Sequence, residues 1–164
     1  MRVLNVMWSF GSAYASIHKV HSQVLALLPE DAVVENWVLQ GVPNEPGEQS
    51  CYAWQWPKWR VKPSKLKRLL QFSSHAQLRK KLDEFNPDLL LLDGIGTARL
   101  ILPLLKARPT LQARVVFHGM TRLRDADIRL FHRFKEQLEL VAVSKGLANQ
   151  LESMIALTVF GVTT

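Results

Sequence analysis

The sequence predicts an α/β domain: a doubly wound, mainly parallel sheet with helices on both faces. Short apolar runs recur at residues 3–7, 33–39, 89–92, 115–117, 140–143 and 157–160, with helix-like stretches between them. The runs are dense in apolar residues rather than regularly alternating, as expected of strands covered on both faces, and the order strand, helix, strand favours parallel pairing. A chain of 164 residues with 48% hydrophobic content is ample for a single packed core, so residues 1–164 read as one globular unit.

The first run leads through Gly11 and Ser12 into a helical stretch at 14–28, where Ile17, Val20, Val24, Leu27 and Leu28 make one apolar face before Pro29. Gly and Ser at a helix start expose backbone N–H groups that suit an anion, although a glycine there equally serves a tight turn. Residues 41–49, with two prolines and two glycines, read as a loop. Ser74 and Gln77 form a capping box for a second helix that places Leu78, Leu82 and Phe85 on one face and stops at Asn86 and Pro87. In doubly wound sheets ligands meet the loops that follow the strands, which directs attention to Gly11, Ser12, Asp93, Gly94, His118, Gly119, Ser144 and Lys145. Ser144 reads as a helix cap, and so does Asp93 unless it binds ligand.

A lone cysteine, Cys51, leaves no intrachain disulfide and no Cys/His zinc constellation, which fits a reducing cytoplasm. Residues 1–15 superficially resemble a signal peptide, with Arg2, an apolar run and Ala13-Tyr14-Ala15, but Asn5 and Ser9 interrupt the run early. No apolar stretch approaches the roughly 18 residues that span a bilayer, so any membrane contact would be peripheral.

Charge is concentrated in one place. Residues 54–81 hold nine Lys or Arg and no acidic residue, which leaves twelve basic against fourteen acidic residues elsewhere. Trp54, Trp56 and Trp59 cluster at the start of this segment, and in the stretch 64–70 Lys65, Lys67 and Arg68 alternate with Leu66, Leu69 and Leu70. Tryptophan beside basic residues suits an anionic membrane interface, with 64–70 lying along the surface. A solvated positive face and a base-stacking nucleic-acid surface are the alternatives, the latter with no recognisable nucleic-acid motif to support it.

Three segments in order, FNPDLLLLDG, ARVVFHGM and LELVAVSKGLANQLE, together with the opening MRVLNVMWSFGSAYASIHKV, resemble the amino-terminal domain of glycosyltransferase family four. The resemblance implies a Rossmann-like domain forming one half of a GT-B fold. It implies a retaining transfer of sugar from a nucleotide-sugar, bound by a carboxy-terminal domain, to a glycan or lipid-linked acceptor at the cytoplasmic membrane face. No metal or cofactor is implied beyond the donor as co-substrate. Carried over by position, His118 faces the transferred sugar and Gly119 permits the turn after it. Gly11 and Ser12 approach the donor diphosphate or the acceptor, and Asp93 and Gly94 lie at the cleft edge. Arg122, with Arg124, could meet an anionic acceptor. The closing VFGVTT resembles the handover to the second domain, so the chain reads as the acceptor-side half without its donor-binding partner, expected to be inactive alone. A binding or regulatory domain without a catalytic task is the competing expectation, since fold does not fix function.

Overall fold

The computed structural model describes residues 1–9, 15–40, 48–50 and 64–162, and their side chains except at 9, 15–18, 40, 48–50 and 64–74. Seven parallel strands form one sheet: β1 (Arg2–Ser9), β2 (Val33–Gln40), β3 (Glu48–Ser50), β4 (Leu89–Asp93), β5 (Gln112–Phe117), β6 (Leu138–Ala142) and β7 (Val159–Gly161), in the order β3-β2-β1-β4-β5-β6-β7. The helices are α1 (Ala15–Leu25), α2 (Ser64–Phe85), α3 (Gly94–Ile101), α4 (Asp125–Arg133) and α5 (Lys145–Ile155). Chain order runs outward from β1 to β3 and then restarts on the other side at β4. Because crossovers are right-handed, this reversal sends helices to opposite faces and opens a crevice between the carboxyl ends of β1 and β4.

Consecutive side chains of a strand point to opposite faces, and both faces here are buried. On one face Leu4, Val6, Trp37, Leu90, Leu92, Val115 and Phe117 join a single apolar cluster with Leu78 and Leu82 of α2, Ile101 of α3, Phe131 of α4 and Leu151 and Ile155 of α5. Phe117 and Phe131 meet edge to face, 6.1 Å between centroids. The other face carries Val3, Asn5, Met7, Leu91 and Val116, all buried, and is the face that α1 contacts through His21.

Four expectations are corrected. The helix expected at 14–28 ends at Leu25, after which Leu27 N–H bonds Val24 O in a tightened turn and Leu27 stands 86% exposed, so it is no part of the apolar face. Ser74 does not cap a helix: α2 runs unbroken from Ser64 to Phe85, so residues 64–70 are the first part of a helix whose far end is seated in the core. Its stop is as read, with Asn86 at φ 48° before Pro87. Within the expected loop 41–49, Glu48 and Gln49 belong to the edge strand β3. Among the described glycines only Gly94 has positive φ, at 65°, so it is Gly94 rather than Gly119 whose backbone a side chain would strain.

Candidate functional site

Asp93 ends β4 and His118 follows β5, and both side chains lie on the face shared with Asn5. Asp93 is the residue before α3, yet its side chain makes no capping bond. It turns to the crevice instead, where one carboxylate oxygen lies 3.4 Å from His118 Nε2 and the other accepts the Trp8 N–H at 3.4 Å. The turn is held by Thr97, fully buried, whose hydroxyl donates to the carbonyls of Asp93 at 2.7 Å and Gly94 at 3.2 Å.

Behind His118 stands a row of buried and half-buried polar groups. Asn5 and Asn36 are partners in the β1–β2 register, and Asn5 Nδ2 donates to Asn36 Oδ1 at 2.9 Å. Asn5 therefore presents Oδ1 to His21, whose Nδ1–H donates to it at 2.6 Å. The lone pair of neutral His21 is then on Nε2, 3.2 Å from His118 Nε2. The two rings are tilted by only 23° with centroids 5.2 Å apart. Burial pushes the His118 imidazole below its ordinary value, against an opposing pull from the Asp93 carboxylate. A neutral imidazole beside an ionised carboxylate can both donate to and accept from the hydroxyls of a sugar.

The opening in front of His118 is a shallow cavity of about 230 Å³, bordered by Asp93, Gly94, Ile95, Phe117, Met120 and Thr121. A larger cavity of about 580 Å³ lies between α2 and the 3-10 turn Leu102–Ala107, lined by Arg79, Asp83, Lys106 and Arg108. Its residues precede β4 and β5, so it sits toward the amino ends of the strands. The smaller opening is the candidate site, because there the half-buried His118, the buried His21 behind it and the Asp93 carboxylate converge at the edge where such sheets bind ligands.

The loop beyond His118 is anchored by α4. Asp127, 4% exposed, accepts both Nε and Nη2 of Arg99 at 2.8 and 2.7 Å, and the Arg124 N–H at 2.8 Å. The Arg99 hydrogen bonds, with help from the Arg124 N–H, hold the Asp127 carboxyl below its usual range despite burial. Arg122 and Gly119 are exposed on this loop. Ser144 caps α5 as expected, accepting the Leu147 N–H at 3.2 Å. Gly11, Ser12, Trp54, Trp56 and Trp59 lie outside the described residues, as do the side chains of Lys65, Lys67 and Arg68. His21, Asn5 and the Arg99–Asp127 pair are absent from the sequence-based expectations. The one local trace of the polar row was Asn5 interrupting an apolar run.

The sequence matches no family model and no curated protein. Its fold is similar to that of S. aureus MnaA, solved with UDP, at a TM-score of 0.52 and 13% identity, over 93% of this chain and 40% of MnaA. The chain thus corresponds to less than half of that protein. The likeness establishes the fold: a Rossmann-like α/β sheet of the kind that forms one half of a GT-B molecule.

Proposed function

We propose that this chain is the acceptor-side domain of a retaining glycosyltransferase resembling family four, moving a sugar from a nucleotide-sugar to a glycan or lipid-linked acceptor at the cytoplasmic membrane face. The observation that carries the proposal is the convergence of His118 and Asp93 on the opening at the carboxyl edge of the sheet, beside the β1–β4 switch point. The UDP in the MnaA structure supports it, since a nucleoside diphosphate is what a nucleotide-sugar releases on transfer.

In this reading His118 orients the transferred sugar through its hydroxyls, and Asp93 accepts from a hydroxyl of the bound sugar or acceptor. The N–H groups opening α3 face developing negative charge, a contribution a helix N-terminus makes without further side chains. By the same resemblance Gly11 and Ser12 bind the donor diphosphate or the acceptor, and Gly94, Gly119 and Arg122 complete the acceptor side. The donor is held by a second domain. Trp54, Trp56, Trp59, Lys65, Lys67 and Arg68 meet the anionic membrane surface that presents the acceptor.

The test is sugar transfer by the complete gene product, using a panel of labelled nucleotide-sugars and membrane extract as acceptor source. Transfer from one donor to an extractable glycan or lipid is expected. A folded product that transfers from no donor, while binding glycans through the His118 opening, would replace this reading with that of a binding domain.

A further inference from the structure

We propose that His21, His118 and Asp93 form a binding site for a divalent transition-metal ion, with Zn²⁺ the best fit. One donor atom from each of the three residues lies within 4.8 Å of the others. His21 Nε2 is 3.2 Å from His118 Nε2, which is 3.4 Å from Asp93 Oδ1. Two bonds of about 2.1 Å to one metal, opened between octahedral and tetrahedral angles, place their donors about 3.0 to 3.4 Å apart. Two of the triad's edges therefore already have the spacing that a shared ion imposes, and the third closes on binding.

The surroundings point the same way. Metal-ligating histidines characteristically donate their other ring N–H to a fixed acceptor, which orients the ring and leaves the lone pair for the metal. His21 does so: Asn36 fixes Asn5, Asn5 Oδ1 takes the Nδ1–H, and Nε2 is presented to the triad. Asp93 is likewise steadied through its second oxygen by the Trp8 N–H. Two imidazoles and one carboxylate favour zinc and its first-row neighbours over Mg²⁺ or Ca²⁺, which take oxygen sets. His21 is 1% exposed, so the ion would be reached from the cavity beside Asp93, Gly94 and Thr121. Three protein ligands leave a position toward that cavity for water or an oxygen of a bound molecule, the pattern of open zinc sites. The site does not depend on the glycosyltransferase reading but uses two of the same side chains, so an ion bound there takes the place of their direct contact with a sugar.

The experiment is titration of the chelator-treated chain with Zn²⁺ by calorimetry, with Co²⁺ as a spectroscopic substitute. A single equivalent is expected to bind, and Co²⁺ is expected to give the intense visible absorption of a four-coordinate site. His118→Ala, His21→Ala and Asp93→Asn should each weaken Zn²⁺ binding at least about tenfold, Asn5→Ala about tenfold through loss of ring orientation, and His132→Gln, away from the triad, not at all. Circular dichroism establishes which variants fold, and the wild-type Co²⁺ spectrum decides the matter if the triad variants do not. Absence of binding to the folded chain, a weak six-coordinate Co²⁺ spectrum, or undiminished binding by folded triad variants would overturn the proposal. In that event His21 and His118 share a hydrogen bond.

Discussion

The two faces of the sheet are made by the same strands and differ in what they carry. On one, Leu4, Val6, Leu92, Val115 and Phe117 pack apolar side chains against α2 to α5. On the other, the neighbouring residues Asn5, Asp93 and His118 join His21 and Asn36 in a hydrogen-bonded row that ends at the candidate site. Buried apolar groups contribute by leaving water, whereas buried polar groups must be paired merely to avoid a penalty. The comparison teaches that the first face is apolar throughout whereas the second mixes apolar packing with a polar row, which the proposed function assigns to binding, so changes in that row should separate in experiment from changes in the apolar cluster.

The largest effect is expected at Phe131, fully buried against Phe117: Phe131→Ala should lower the unfolding free energy by about 4 kcal/mol in a denaturant titration. A loss below about 1 kcal/mol would mean that the apolar face is not the main source of stability. Gly161→Ala comes next. A Cβ there would stand 2.9 Å from the Lys145 Cα at the start of α5, so β7 or the helix must shift, at about 2 kcal/mol in the same titration.

Asp127→Asn should remove about 1.5 kcal/mol by weakening the bidentate Arg99 pair, and it sharpens the comparison by adding pH. The folded Asp127 carboxyl titrates below its ordinary value of 3.8, so its contribution is present above that value and is lost as pH falls through the lower, folded one. The gap between wild type and Asp127→Asn in thermal melts should therefore narrow on acidification below 3.8. A gap that stays constant would contradict the pairing. The smallest effect on stability is expected for Lys65, Lys67 and Arg68 changed together to Glu, within about 0.5 kcal/mol, while binding to phosphatidylglycerol vesicles is abolished. Unchanged vesicle binding would remove the membrane from the proposed function.

Much of the fold was legible because strands buried on both faces read as mostly apolar runs, and all six runs overlap strands. What local patterns misplaced were boundaries. Ser74 and Gln77 have the spacing of a capping box, yet packing of Leu78, Leu82 and Phe85 at one end of α2 is compatible with helix continuing back to Ser64. β3 is three residues long and polar, with no hydrophobic signal of its own. His118 and Asp93 could be singled out because they follow strands. His21 could not: it lies 97 residues from His118, and only the β1-β4-β5 order brings them together. Asn5 was visible as a break in an apolar run, but its meaning required the partner strand carrying Asn36.

The most direct test of the division between the faces is His118→Leu, measured twice. In the complete gene product the change should lower kcat/KM for sugar transfer by about 100-fold or more, as loss of a positioned sugar-contacting group does. In this chain it should leave the unfolding free energy within about 1 kcal/mol of wild type. Retained transfer, or unfolding of the chain with no separable effect on transfer, would contradict the assignment of the polar face to function.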